Sequence, residues 1–88
     1  MGTASIGAVG RQVATNVRSL RQARGLSFTD LSDDLAARGH KIPALGLRRL
    51  ECGERRVDVD DLVALAGVLG VTTDELMFLD VVVTMVPT

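Results

Sequence analysis

Aromatic side chains are almost missing from this chain of 88 residues, which has no Trp, no Tyr and two Phe. Small sheet proteins draw their cores from β-branched and aromatic residues, so an interior of Leu, Val and Ala points instead to packed helices. At 47% hydrophobic content there are enough apolar side chains for one small domain. Cysteine is as scarce. Cys52 stands alone, which excludes an intramolecular disulfide, and with His40 as the sole histidine there is no ligand set for zinc. A reducing, cytoplasmic setting is the expectation. Long apolar runs are lacking too: LMFLDVVVTMV is interrupted by Asp80 and too short to span a bilayer, and MGTASIGAVG has no basic start followed by an apolar stretch. No membrane partner is expected.

Catalytic constellations are also absent. His40 has no partner in sequence that would make a base and nucleophile pair, and Asp58, Asp60 and Asp61 lack the glycine and glutamate of a calcium loop. No enzyme activity, metal or cofactor is expected, and the aspartates are read as helix caps. Cys52 is read as packing at the end of a helix.

One sign of charge is missing from a whole segment. The net charge is only −1, yet residues 57–88 contain no basic residue and six acids, whereas residues 1–56 hold all ten basic residues against five acids, leaving +5. Such asymmetry suggests a basic face for a polyanion and an acidic one turned away from it.

Five helices are legible. Gly25, Gly39, Gly53 and Gly70 each follow an apolar-periodic segment, where a helix C-terminus wants a residue tolerant of positive φ. The first helix runs from about Gly10 to Arg24 with Val13, Val17 and Leu20 inward, and arginines 18, 21 and 24 beside them. Ser27 caps the second, with Asp30 at the capping-box position and Phe28, Leu31 and Leu35 inward. Pro43 fits the first turn of a third helix carrying Leu47 and Leu50 inward. Asp58 caps a fourth, and Thr72 with Glu75 opens a short fifth. Residues 80–88 change character and read as an apolar strand or arm, either a dimer contact or a segment packed on its own domain, so the expected layout is a domain over 1–79 and an arm over 80–88.

VRSLRQARGLSFTDLSDDL followed by LRRLECGERRVDVDDLVALAGVLGVTTDEL gives the chain its one family likeness. Over residues 13–76 it resembles the helix-turn-helix domains of the phage repressor and Cro type, the XRE family. The likeness implies an all-α, five-helix, λ-repressor-like fold and sequence-specific binding of double-stranded DNA by a transcriptional regulator, a repressor of the phage immunity or Cro kind or a host regulator. It implies a recognition helix over residues 43–52, with Ala44, Leu45, Arg48 and Arg49 at the base-reading positions and Gly46 allowing close approach. Arg49 suits guanine, and Arg48 is either a second reader or a solvated side chain. Thr29, Lys41, Arg55 and Arg56 fall at phosphate positions, with His40 beside Lys41. Glu51 would pair with Arg21 on the first helix. Two departures stand out: Phe28 replaces the usual phosphate-binding Gln, and the spacing from Leu31 to Glu51 is longer than usual, the extra residues falling in AARGHKI, read as a longer second helix and a looser turn. A homodimer on two half-sites is expected. The competing reading is a protein-interaction module, such as an antitoxin that also binds its own operator, engaging a partner protein through its acidic half and apolar tail.

Overall fold

The computed structural model describes residues 6–79; the arm expected over residues 80–88 lies outside them. Five helices follow one another: α1 (Ala8–Ala23), α2 (Phe28–Ala37), α3 (Ala44–Glu51), α4 (Val59–Leu69) and α5 (Thr73–Phe78). There is no strand among the described residues, so the fold is all-α.

Three of the five starts are capping boxes, in which side chains satisfy backbone N–H groups that lack intrahelical partners. The Asp30 N–H donates to Ser27 Oγ at 2.9 Å, and the Ser27 N–H donates back to the Asp30 carboxylate at 3.0 Å. Thr72 and Glu75 repeat the exchange at α5. At α4 the expected Asp58 cap is reciprocated by Asp61, whose carboxylate accepts from the Asp58 N–H at 3.2 Å. The start of α3 differs from expectation. Pro43 is the N-cap, with ψ at 155°, and the helix begins one residue later; the ring fixes φ but leaves ψ free to be extended.

All four punctuating glycines have positive φ. Gly39, at φ 82°, matters most, because there the chain leaves α2: the Gly39 N–H donates to Ala36 O at 2.9 Å and the His40 N–H to Leu35 O at 3.0 Å. α2 therefore ends close to its expected boundary, and the extra residues lie in the connector. That connector is not loose. Ile42 is 1% exposed within the core, and Ser32 Oγ donates to its carbonyl at 2.7 Å. An apolar side chain buried midway and one hydrogen bond from α2 fasten the longer span.

Every helix contributes to one aliphatic interior: Val17 and Leu20 from α1, Leu31 and Leu35 from α2, Leu47 and Leu50 from α3, Leu65 and Leu69 from α4, Leu76 from α5. The one polar side chain fully buried among them is Asn16. Its amide donates to Leu76 O at 2.8 Å and to Leu79 O at 2.7 Å, and its oxygen accepts from Gln12 at 3.0 Å. Carbonyls at a helix end have no intrahelical donor, so α1 supplies the C-terminal cap of α5. No helix among the described residues is long and apolar enough to cross a membrane.

Ser27→Ala should lower the free energy of unfolding by about 1 kcal/mol in urea denaturation. The Ser27 backbone N–H, and then its hydroxyl, hold the Asp30 carboxyl below its ordinary value. Its contribution is therefore present above the unfolded-state value and fades as pH falls through the folded one. In Ser27→Ala, the Asp30 carboxyl resonance should titrate at higher pH.

Candidate functional site

Helix α3 has two sharply different sides. Leu47 and Leu50 are fully buried, while Leu45 is 56% exposed and Arg48, Arg49 and Cys52 are exposed with it. Positions 45, 48, 49 and 52 stand at i, i+3, i+4 and i+7, so they form one outward stripe. Of the residues assigned to base reading, Leu45, Arg48 and Arg49 lie on this stripe, and Ala44 sits half-buried at the helix start. Cys52 stands at the end of α3 as its C-cap, exposed because it falls in phase with Arg48 and Arg49.

The C-terminal end of α3 is fastened to α1. Arg21 Nε donates to Glu51 Oε2 at 2.7 Å and Nη2 to Oε1 at 3.1 Å, with Glu51 only 4% exposed. The remaining Arg21 nitrogen donates to Leu26 O at 2.8 Å, and its guanidinium lies 4.1 Å from the centroid of the Phe28 ring. One arginine thus joins α1, the turn after it, the first residue of α2 and the end of α3. The ring of Phe28, in place of a polar residue, gives that guanidinium a face to rest on.

A second cluster lies at the other flank. Asp61, in the first turn of α4 and 3% exposed, accepts from His40 Nε2 at 2.7 Å and lies 3.5 Å from Arg55 Nη2. Of two residues assigned to phosphate, His40 and Arg55, both are turned toward this carboxylate. Arg55 Nη1 is buried without a hydrogen-bond partner and would lie 3.4 Å from a Cβ placed on Gly46. The arginine therefore lies against the flank of α3 beside Gly46, a neighbour that the sequence did not suggest.

Two other cations lie against α4. Arg38 Nη1 would lie 2.7 Å from a Cβ on Gly67, and Arg24 Nη2 3.2 Å from one on Gly70, so both guanidinia lie along the C-terminal half of α4, where the helix dipole favours positive charge. Arg18, Lys41, Arg48 and Arg49 make no ion pair with any described residue. Arg18 and Arg48 line one cleft of about 260 Å³, together with Gln22, Phe28, Cys52 and the Arg21–Glu51 pair. Sequence reading placed Arg18 in an arginine stripe and did not assign it to the site. Thr29 in α2, Lys41 in the connector and Arg56 in the loop after α3 are exposed, and Arg56 lines a separate cleft with Ile6, Gly7, Gly10 and Val57. Comparison with known protein families, curated proteins and solved structures returns no match to this chain.

Removing one partner of a buried pair strands the other charge, so Glu51→Ala should destabilise by about 3–5 kcal/mol. The double change Arg21→Met with Glu51→Leu leaves no stranded charge and should recover most of that loss. Chemical denaturation of the two variants measures both terms; an effect of Glu51→Ala within experimental error of zero would remove the anchoring role.

Proposed function

We propose that the protein is a sequence-specific double-stranded DNA-binding protein, a transcriptional regulator acting as a repressor, in which α2, the connector and α3 form a helix-turn-helix of the λ-repressor-like, XRE type. The observation that carries this reading is the outward stripe of α3. Its arginines have no ion-pair partner among the described residues, whereas the buried acids behind them, Glu51 and Asp61, are both occupied by other cations. A surface of that kind has net positive charge to offer and little to repel an anion.

Duplex DNA carries roughly one negative charge per 1.7 Å of axis, and arginines that neutralise phosphates release condensed counterions. With α3 in the major groove, Leu45 and Ala44 would touch thymine methyls and Arg49 would hold guanine O6 and N7 with two parallel bonds. Arg48, which lines one cleft with Arg18, suits a phosphate better than a base edge. Thr29, Lys41 and Arg56 complete the backbone contacts, and Arg55, held by Asp61, serves as a fixed phosphate contact. One short helix reads few bases, so the regulator works as a homodimer on half-sites about one helical turn, ~34 Å, apart, in the cytoplasm.

A second reading has its own support. Val59 is 75% exposed, Val63 58% and Phe78 64%, an apolar surface that favours a protein partner. This surface serves either the second subunit of the regulator or, in the antitoxin reading, a different protein.

Affinity for a random-sequence duplex should fall steeply between low and moderate salt. Arg49→Ala should relax preference at one base position by about 1–3 kcal/mol, while Lys41→Ala should weaken all duplexes alike and flatten the salt dependence by about one unit. These are read by fluorescence anisotropy on duplexes recovered from a random pool. Unchanged affinity in both variants would refute the regulator reading.

A further inference from the structure

Helix α3 packs chiefly on α1 and α2 and hardly touches α4 directly. What ties it to α4 runs through the two loops that bracket it, and both loops converge on one carboxylate. His40 belongs to the connector before α3 and Arg55 to the loop after it, and Asp61 in α4 faces both, His40 at 2.7 Å and Arg55 at 3.5 Å. The same carboxylate accepts the Asp58 N–H at 3.2 Å, and the Asp61 N–H donates to Asp58 Oδ1 at 2.7 Å, which locks its own backbone at the start of α4. The far side of the Arg55 guanidinium rests against α3 at Gly46.

We propose that Asp61 is the positioning residue of the site: it holds the connector through His40 and the following loop through Arg55, and so sets how α3 and the Arg55 guanidinium are presented to DNA. The assignment of DNA as the ligand rests on the function proposed above; the positioning itself does not. Three properties make Asp61 suited to the task. It is buried, so its charge acts in surroundings where water screens little. It belongs to a helix whose Leu65, Ala66 and Leu69 are embedded in the core, so it is a fixed point. Its oxygens are divided, Oδ1 toward His40 and Oδ2 toward Arg55 and the α4 backbone, so the two loops are held independently. Gly46 borders the arrangement: a Cβ there would lie 3.2 Å from Ile42 Cγ2 and 3.4 Å from Arg55 Nη1, so the guanidinium rests directly against α3.

The test compares Asp61→Asn and His40→Gln with the full chain by amide hydrogen exchange and by DNA discrimination. Asp61→Asn keeps the shape and an acceptor for the Asp58 N–H but removes the charge. Exchange at the hydrogen-bonded amides that bracket α3, those of Gly39 and His40 before it and of Glu54 after it, should accelerate at least about tenfold, the factor expected from losing one charge-assisted hydrogen bond, while amides of α1 and α5 keep their protection. His40→Gln should accelerate the amides of Gly39 and of residue 40 and leave Glu54 protected, since Arg55 keeps its partner. Uniform acceleration throughout the chain, or none in the two loops, would overturn the proposal. On DNA, Asp61→Asn should reduce the preference for a selected duplex over a random one about tenfold, with the affinity for the random duplex falling by no more than the loss of one phosphate contact. Equal weakening on both duplexes would contradict positioning. If the unmodified chain binds no duplex, the function proposed above fails while the exchange result still decides the role of Asp61.

Discussion

The Arg21–Glu51 ion pair is the constraint around which the described structure is arranged. A guanidinium with its nitrogens directed to Glu51 and Leu26 O and its face on Phe28 has almost no freedom left. Each of those partners belongs to a different segment, so fixing the arginine fixes the end of α3 and the beginning of α2 relative to α1. The leucine interior could be satisfied by several small rotations of α3, since dispersion and burial are non-directional. Directional bonds from a planar fork are what select one of them.

From that anchor the charge asymmetry of the sequence acquires an internal logic. A basic N-terminal part and an acidic C-terminal part fold so that some opposite charges meet: Asp61 faces His40 and Arg55, and Arg24 and Arg38 lie along the end of α4. Among the cations that make no ion pair with a described residue, Arg48 and Arg49 stand on α3, Arg18 lines a cleft with Arg48, and Lys41 lies in the connector before α3. A net charge of −1 conceals this, because it averages cations already engaged inside the fold with those left at its surface. The stripe on α3 is held at its C-terminal end by Glu51 and at its other flank through Asp61, which leaves an eight-residue helix with little independent motion.

Local signals carried most of the fold. Ser27 with Asp30, Thr72 with Glu75 and the four glycines mark helix ends through chemistry within a few residues, so their roles could be read without knowing the tertiary structure. Asn16 could have been noticed as a polar residue interrupting the stripe of Val13 and Val17, but its acceptors, Leu76 and Leu79, are remote in sequence. The site was legible only in part. Leu45, Arg48 and Arg49 follow from helical phase once Leu47 and Leu50 are inward, and Arg21 with Glu51 came from the family resemblance. The His40, Asp61 and Arg55 cluster was not legible: each residue has an ordinary local role as connector, cap or loop cation, and only the packing of α2 on α4 brings them together. The same holds for Gly46, beside which an arginine from a later loop rests.

The central claim is that the outward stripe of α3, held rigid at both flanks, is the surface that meets duplex DNA. Backbone amide NMR during titration of the full chain with a short duplex tests it most directly. The account predicts that the largest shift changes fall on the amides of residues 44–52, of the first turn of α2 and of Arg18 and Lys41, with α5 nearly unchanged. Changes centred on the exposed apolar residues of α4 and α5, Val59, Val63 and Phe78, with α3 silent, would contradict it.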